Sequence, residues 1–180
     1  MKKIPLILTL FIAFSCNNTP KQEQQVEPTK TLNQNDEPEK EFIVKLNYKS
    51  DQADQFVFTL KNIKVDEFQT KKIIIEEKVS ITTSMDEIVA NFGDNISNSM
   101  FIDLGRKKTK NVLLESVMLS YGKYKLIIQP SDLEKYFKFN NYVSLNLETN
   151  TLTTKKIEGR SIPIIRLKQN AFKLLKKENK

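Results

Sequence analysis

From residue 42 onward the chain alternates apolar and polar positions with a period of two, the pattern of half-buried strands. Phe42, Val44, Leu46 and Tyr48 lie on one phase, against Ile43, Lys45 and Asn47 on the other. After a polar break at Ser50–Gln55 the alternation resumes at Phe56, Phe58 and Leu60, and again at Ile73 and Ile75, then Val79 and Ile81. Met100, Ile102 and Leu104 run into a turn at Gly105. Val112 and Leu114 are followed by Val117, Leu119 and Tyr121, so the phase slips by one residue at Glu115-Ser116, where a β-bulge is expected. Gly122 separates that strand from Tyr124, Leu126 and Ile128. Val143, Leu145 and Leu147 lead through Glu148–Thr151, a hairpin turn, into a strand around Leu152–Ile157.

Three segments break the pattern. Ser84-Met-Asp-Glu87 has the form of a helix capping box, yet Ile88, Ala90 and Phe92 alternate, which favours a strand. Pro130–Phe137 reads as one or two helical turns capped by Ser131. In Arg166–Lys180, Leu167, Ala171, Leu174 and Leu175 fall at helical spacing with lysines opposite. Many short strands at intervals of ~8–12 residues, with little helix, predict an all-β fold. The expected architecture is an antiparallel β-sandwich or jelly roll with one or two short helices.

The first 41 residues behave differently. Lys2 and Lys3 precede an uncharged apolar stretch, Ile4 to Phe14, of about eleven residues. That is the length of a signal-peptide core and too short to span a bilayer as a permanent helix. Ser15, a small residue, comes next, then Cys16, the single cysteine of the chain. A lone thiol in an exported protein has no internal partner for a disulfide. Ala13-Phe14-Ser15-Cys16 resembles the lipobox of bacterial lipoproteins, departing from it in the bulk of Phe14. The resemblance implies cleavage after residue 15, acylation of Cys16 and retention in the cell envelope, most plausibly at the outer membrane. Two or three acyl chains on one cysteine suffice for a stable anchor, since each buried methylene contributes ~0.8 kcal/mol.

Residues 16–41 continue with Gln, Asn, Glu, Lys and Pro and almost no apolar side chains. Such a segment buries too little surface to offset its ordering entropy, so a disordered tether is expected. At ~5–6 Å × √n it would hold the domain on the order of 25–30 Å from the membrane. The organisation read from sequence is therefore a signal peptide over 1–15, lipidated Cys16 and tether over 16–41, a β-sandwich domain over 42–168, and a basic helical tail over 169–180.

Absences narrow the chemistry. The chain has no His, so the usual general base and the commonest transition-metal ligand are missing. With Cys16 acylated no thiol nucleophile remains, and four scattered glycines cannot form a phosphate-cradling loop. The adjacent carboxylates Glu76-Glu77 and Asp86-Glu87 point to opposite faces of a strand, so neither pair supplies the two convergent groups that glycoside hydrolysis requires. Asp51 with Asp54, and Asp94-Asn95, are oxygen clusters that turn chemistry explains as well as calcium does. No catalytic residue, metal site or cofactor is expected, and the protein reads as a non-enzyme.

One cluster is compatible with ligand binding. Tyr121, Tyr124, Tyr136, Phe137, Phe139 and Tyr142 fall close together with Asn140 and Asn141, the combination of aromatic faces and amides found in sugar sites. Tyr121, Tyr124, Tyr136, Asn140, Asn141 and Tyr142 are the candidate binding residues. Against that stands an ordinary role in the core for the same rings, and the absence of Trp. Residues 42–62, the turn Phe101-Ile-Asp-Leu-Gly105, the strand Val112–Leu119 and the later Phe139–Val143 and Ile162-Pro163-Ile164 segments together resemble small jelly-roll domains of the galactose-binding type. That resemblance implies an association with surface polysaccharide and carries no binding residue over.

The formal charge of +7 is unevenly placed. Two lysines leave with the signal. Arg166, Lys168, Lys173, Lys176, Lys177 and Lys180 stand against Glu178 alone in the tail, and the remainder is nearly neutral. Nucleic acid is not an expected partner. The expected function is non-catalytic binding or scaffolding at the envelope, of surface glycan in particular. An accessory subunit of an envelope protein complex is the alternative, and a carboxylate-dependent enzyme a weaker one.

Overall fold

A computed structural model describes residues 40–176. The expected signal segment 1–15, Cys16, the expected tether up to residue 39 and the tail beyond residue 176 lie outside the described residues. The described residues form eleven strands in two antiparallel sheets: β1 (Phe42–Ser50), β2 (Asp54–Lys64), β3 (Thr70–Val79), β4 (Asp86–Asn91), β5 (Ser99–Asp103), β6 (Asn111–Tyr121), β7 (Tyr124–Ile128), β8 (Phe137–Phe139), β9 (Val143–Asn146), β10 (Thr151–Thr154) and β11 (Ile164–Leu167). Two short helices, α1 (Leu133–Tyr136) and α2 (Gln169–Leu175), complete it.

The first sheet runs β4-β1-β6-β10-β9, with β7 also paired to β6. The second runs β3-β2-β5-β11-β8. Alternation builds the core directly. Phe42, Val44, Leu46 and Tyr48 of β1 and Phe56, Phe58 and Leu60 of β2 are all buried, while the residues between them stay half-exposed. One apolar cluster draws on both sheets, joining Val117 and Leu119 of β6 to Met100 and Ile102 of β5 and Ile165 of β11. The fold is the expected antiparallel β-sandwich.

The expected bulge is present. Asn47 pairs with Ser116 but Tyr48 pairs with Leu114, so Glu115 is the extra residue. This slip lets Val112 and Leu114 on one side of it, and Val117 and Leu119 on the other, all face the core. Asp86–Asn91 is a strand, because Ile88 and Ala90 bury against Leu46 and Val44 of β1, a gain that outweighs the capping-box signal.

Four local expectations need correction. Ser131 does not cap: it sits inside a 3-10 turn, Pro130–Asp132, that follows Gln129, with no side-chain cap hydrogen bond. Ile81 lies past the end of β3 and is exposed, and Leu147 falls in the turn rather than the strand. The strand expected over Leu152–Ile157 ends at Thr154, and Ile157 only bridges to Arg160. In α2 the buried face is Ala171, Phe172 and Leu175, with Leu174 turned to solvent. Phe172 anchors this helix, its ring 6.1 Å from that of Phe42. The helix thus packs on β7, β6 and α1, and burial rather than helix propensity holds so short an element.

Candidate functional site

The six residues expected to bind a ligand do not share one surface. Tyr121 and Tyr124 face each other across the β6–β7 hairpin, half-buried against the core beside Leu119 and Leu126. Tyr136 is buried in α1, with Lys135 5.0 Å from its ring centre. Asn141 is exposed and Tyr142 half-exposed in the turn between β8 and β9. Asn140 has a structural task. Its amide donates to the Ile162 carbonyl at 2.6 Å, and its side-chain oxygen accepts from the N–H groups of Tyr142 and Ile164 at 3.2 and 3.3 Å. Of the six, Asn140 is the one that also borders a surface groove.

The carboxylate candidates separate likewise. Glu76 faces outward and accepts from Gln55 at 2.6 Å, whereas Glu77 lies opposite buried Phe56. Glu87 pairs with Lys45 at 3.1 Å, and Asp86 accepts from the Tyr48 hydroxyl at 3.3 Å. Burial, and next the negative charge of Asp86, push the Tyr48 phenol up to about 12. Asp51 is occupied by Asn111, through its backbone N–H at 2.8 Å and its amide at 2.9 Å. Among the described residues no three acidic or thiol groups converge as a metal site would require.

The groove lies on the outer face of the second sheet. It has a volume of about 260 Å³ and is lined by Phe101, Lys138, Phe139, Asn140, Ile164 and Arg166. Strand register puts these residues there. Met100 and Ile102 of β5 point into the core, so Phe101 between them points out. Phe101 stands opposite Thr59 of β2 on one side and Arg166 of β11 on the other, and Arg166 stands opposite Lys138 of β8. The next row along the strands brings Val57, Asp103, Ile164 and Asn140 alongside. The Arg166 guanidinium lies 4.6 Å from the Phe101 ring centre and the Lys61 ammonium 5.0 Å from it. The ring is therefore held between strands and flanked by two cations, a favourable arrangement of charge against the π face. Lys61, Lys138 and Arg166 make no ion pair among the described residues. Arg166 reads from sequence as the start of the basic tail. The signal for Phe101 is a large aromatic on the outward phase of an alternating strand.

A second charged feature lies inside the sandwich. Asp54, at the start of β2, and Lys110, just before β6, form an ion pair with both side chains almost wholly buried. The Lys110 ammonium also donates to the Leu104 carbonyl at 2.9 Å. Asp54 accepts from the backbone N–H of Gln55 at 2.8 Å and of Lys107 at 3.1 Å. Burial by itself would raise the Asp54 pKa. The hydrogen bond and charge of Lys110, with the two N–H donors, outweigh that and hold the carboxyl below its ordinary range. Gly105, at φ +86°, passes directly over Asp54: a Cβ there would clash with the Asp54 carboxyl group. Each polar atom of the pair is engaged, so this is a structural latch.

No known protein family, curated protein or solved structure matches the chain.

Proposed function

We propose that this protein is an envelope lipoprotein whose β-sandwich is a non-catalytic binding module for surface glycan, with the Phe101 groove as its ligand site. One observation carries the binding reading: an outward aromatic ring on a sheet face, in a groove bordered by an amide and by cations that form no ion pair among the described residues. Sugars present apolar C–H faces and hydroxyls together, and a ring edged by hydrogen-bond donors meets both. The groove is smaller than the ~300–1,000 Å³ pockets that enclose drug-sized ligands. That suits a chain lying across a sheet face, contacted one unit at a time.

The anchor reading rests on Cys16, placed immediately after a short uncharged apolar segment and followed by a polar tether. In that arrangement the acyl chains hold the domain at the bilayer and the tether sets its reach. Among the described residues no helix is long and apolar enough to cross a membrane.

Two measurements test this. Metabolic labelling with palmitate should mark the wild type and not Cys16→Ser, and the Cys16→Ser form should leave the membrane fraction. On a glycan array, Phe101→Ala should lose at least tenfold in binding at unchanged stability. An unlabelled wild type refutes the anchor, and an array on which nothing binds refutes the module.

A second reading, an accessory subunit in an envelope complex, draws on a different place. At the tip of the β2–β3 hairpin Phe68 is 93% exposed and Val65 57%. The turn beneath them is tied by Asp66, which accepts from the N–H groups of Phe68 and Gln69 at 2.8 and 2.7 Å. A stoichiometric partner that co-purifies with the wild type and is lost from Phe68→Ser would favour this reading over the first.

A further inference from the structure

We infer that the groove selects acidic glycans, its ligand bearing carboxylate or phosphate groups that lie against Lys61, Lys138 and Arg166. The inference rests on the reading of the groove as a glycan site and adds the sign of the ligand's charge. Its basis is a placement the fold alone does not favour. Arg166 and Lys138 are directly opposite on neighbouring antiparallel strands, where like charges repel. Lys61 adds a third positive charge over the same Phe101 ring.

Of the two acidic groups on that face, one is ion-paired and the other is hydrogen-bonded by an amide. Asp103 is held by Arg106 at 2.6 Å, and Glu76 by Gln55 at 2.6 Å. None of the three cations has a carboxylate partner within 4.0 Å among the described residues. The surface is thus complementary to an anion supplied from outside.

Geometry adds direction. Phe101 supports the guanidinium of Arg166 on its face, leaving the N–H fork free for a two-point contact with a carboxylate or phosphate. Lys61, Phe101, Arg166 and Lys138 lie on the four successive strands β2, β5, β11 and β8. With neighbouring strands ~4.8 Å apart, the cations span on the order of 14 Å across the sheet. An anionic saccharide chain running perpendicular to the strands would meet Lys61, the Phe101 ring, Arg166 and Lys138 in turn.

The test uses the full chain in detergent micelles, immobilised and exposed to polygalacturonate, its neutral methyl ester, a phosphorylated mannan and unmodified neutral mannan at 50 and 200 mM NaCl. Binding of one or both acidic polymers, at least tenfold tighter than their neutral counterparts and weakening with salt, is the expected result. Which acidic polymer binds identifies a carboxylate or a phosphate source. The double variant Arg166→Gln/Lys138→Gln should lose that preference, while a control, Lys155→Gln/Lys156→Gln, which removes two exposed lysines from the loop after β10, should keep it. Equal, salt-independent binding of neutral and acidic polymers overturns the charge selectivity and leaves the glycan module standing. A control that falls as far as the groove variant overturns it as well, because bulk charge would then account for binding. No binding by any of the four polymers removes the glycan reading itself. Thermal denaturation of both variants confirms that loss of binding is not loss of fold.

Discussion

The sandwich holds its charges in two opposite ways. At the Asp54–Lys110 latch a carboxylate and an ammonium are taken out of water, and both are satisfied by protein groups on each side. Around Phe101 three cations remain in water, near an aromatic ring, with no ion-pair partner among the described residues. Where a charged group is buried and held by protein partners, it serves the fold and has no surface to offer a ligand. Where charge is repeated and unmet, the fold gains nothing from it, and its use lies outside the molecule. Removing a charge should therefore be costly in stability at the latch and nearly free at the groove.

The largest effect is expected from Lys110→Met, which strands the Asp54 carboxylate in the core. Loss of one partner of a buried pair costs ~3–5 kcal/mol, readable as a shift in the urea midpoint. Adding Asp54→Leu should restore most of that stability, because it removes the orphaned charge. A double variant as unstable as the single one would show that the latch does more than satisfy its own members.

Gly105→Ala comes next. The new methyl group would collide with the Asp54 carboxyl group, from a backbone conformation that L-residues avoid. A cost of about 1–3 kcal/mol is expected, of the order found for overpacking a filled site.

Titration separates the buried groups without mutation. The folded-state pKa of Asp54 lies below its unfolded value, so its contribution is present above the ordinary carboxylate pKa and is lost as pH falls through the folded value. Tyr48 works in the other direction. Its folded pKa of about 12 exceeds an unfolded value of ~10, so its contribution is present below pH ~10 and is lost as pH rises toward 12. Melting temperature followed against pH should fall at both ends, with the alkaline fall reduced in Tyr48→Phe and the acid fall reduced in the Asp54→Leu/Lys110→Met double variant.

The smallest effect belongs to the groove. Arg166→Thr should change stability by less than ~0.5 kcal/mol, or raise it slightly by relieving repulsion with Lys138. A large loss of stability there would place Arg166 with the latch and dissolve the contrast.

The strands were legible because burial follows a two-residue period that sequence displays openly, and the bulge at Glu115 could be located from a single slipped phase. The charged features were not legible to the same degree. Asp54 and Lys110 lie 56 residues apart in sequence and meet through packing of the β5–β6 loop on the start of β2, which no local pattern encodes. The groove is built by the pairings β2·β5, β5·β11 and β11·β8, joining residues from positions 61 to 166. The near-neutral composition of the domain hid the cluster because net charge says nothing about placement. The aromatic and amide residues at 121–142 were singled out by proximity in sequence, whereas strand pairing turned Tyr121 and Tyr124 inward and put Asn140 beside Phe101. A 3-10 turn took the place of the expected Ser131 cap because Pro130 fixes the backbone and needs no N–H partner.

The position of β6 has a kinetic consequence. Along one edge it is bonded to β1 from Val112 to Tyr121, and its other edge is taken by β10 over Asn111–Leu113 and by β7 over Val117–Tyr121. Where β6 is flanked on both sides, at Val112–Leu113 and Val117–Tyr121, its amide protons should be among the last of the domain to exchange with solvent. The marginal strand β3, bonded to a single neighbour, should exchange by local opening long before that.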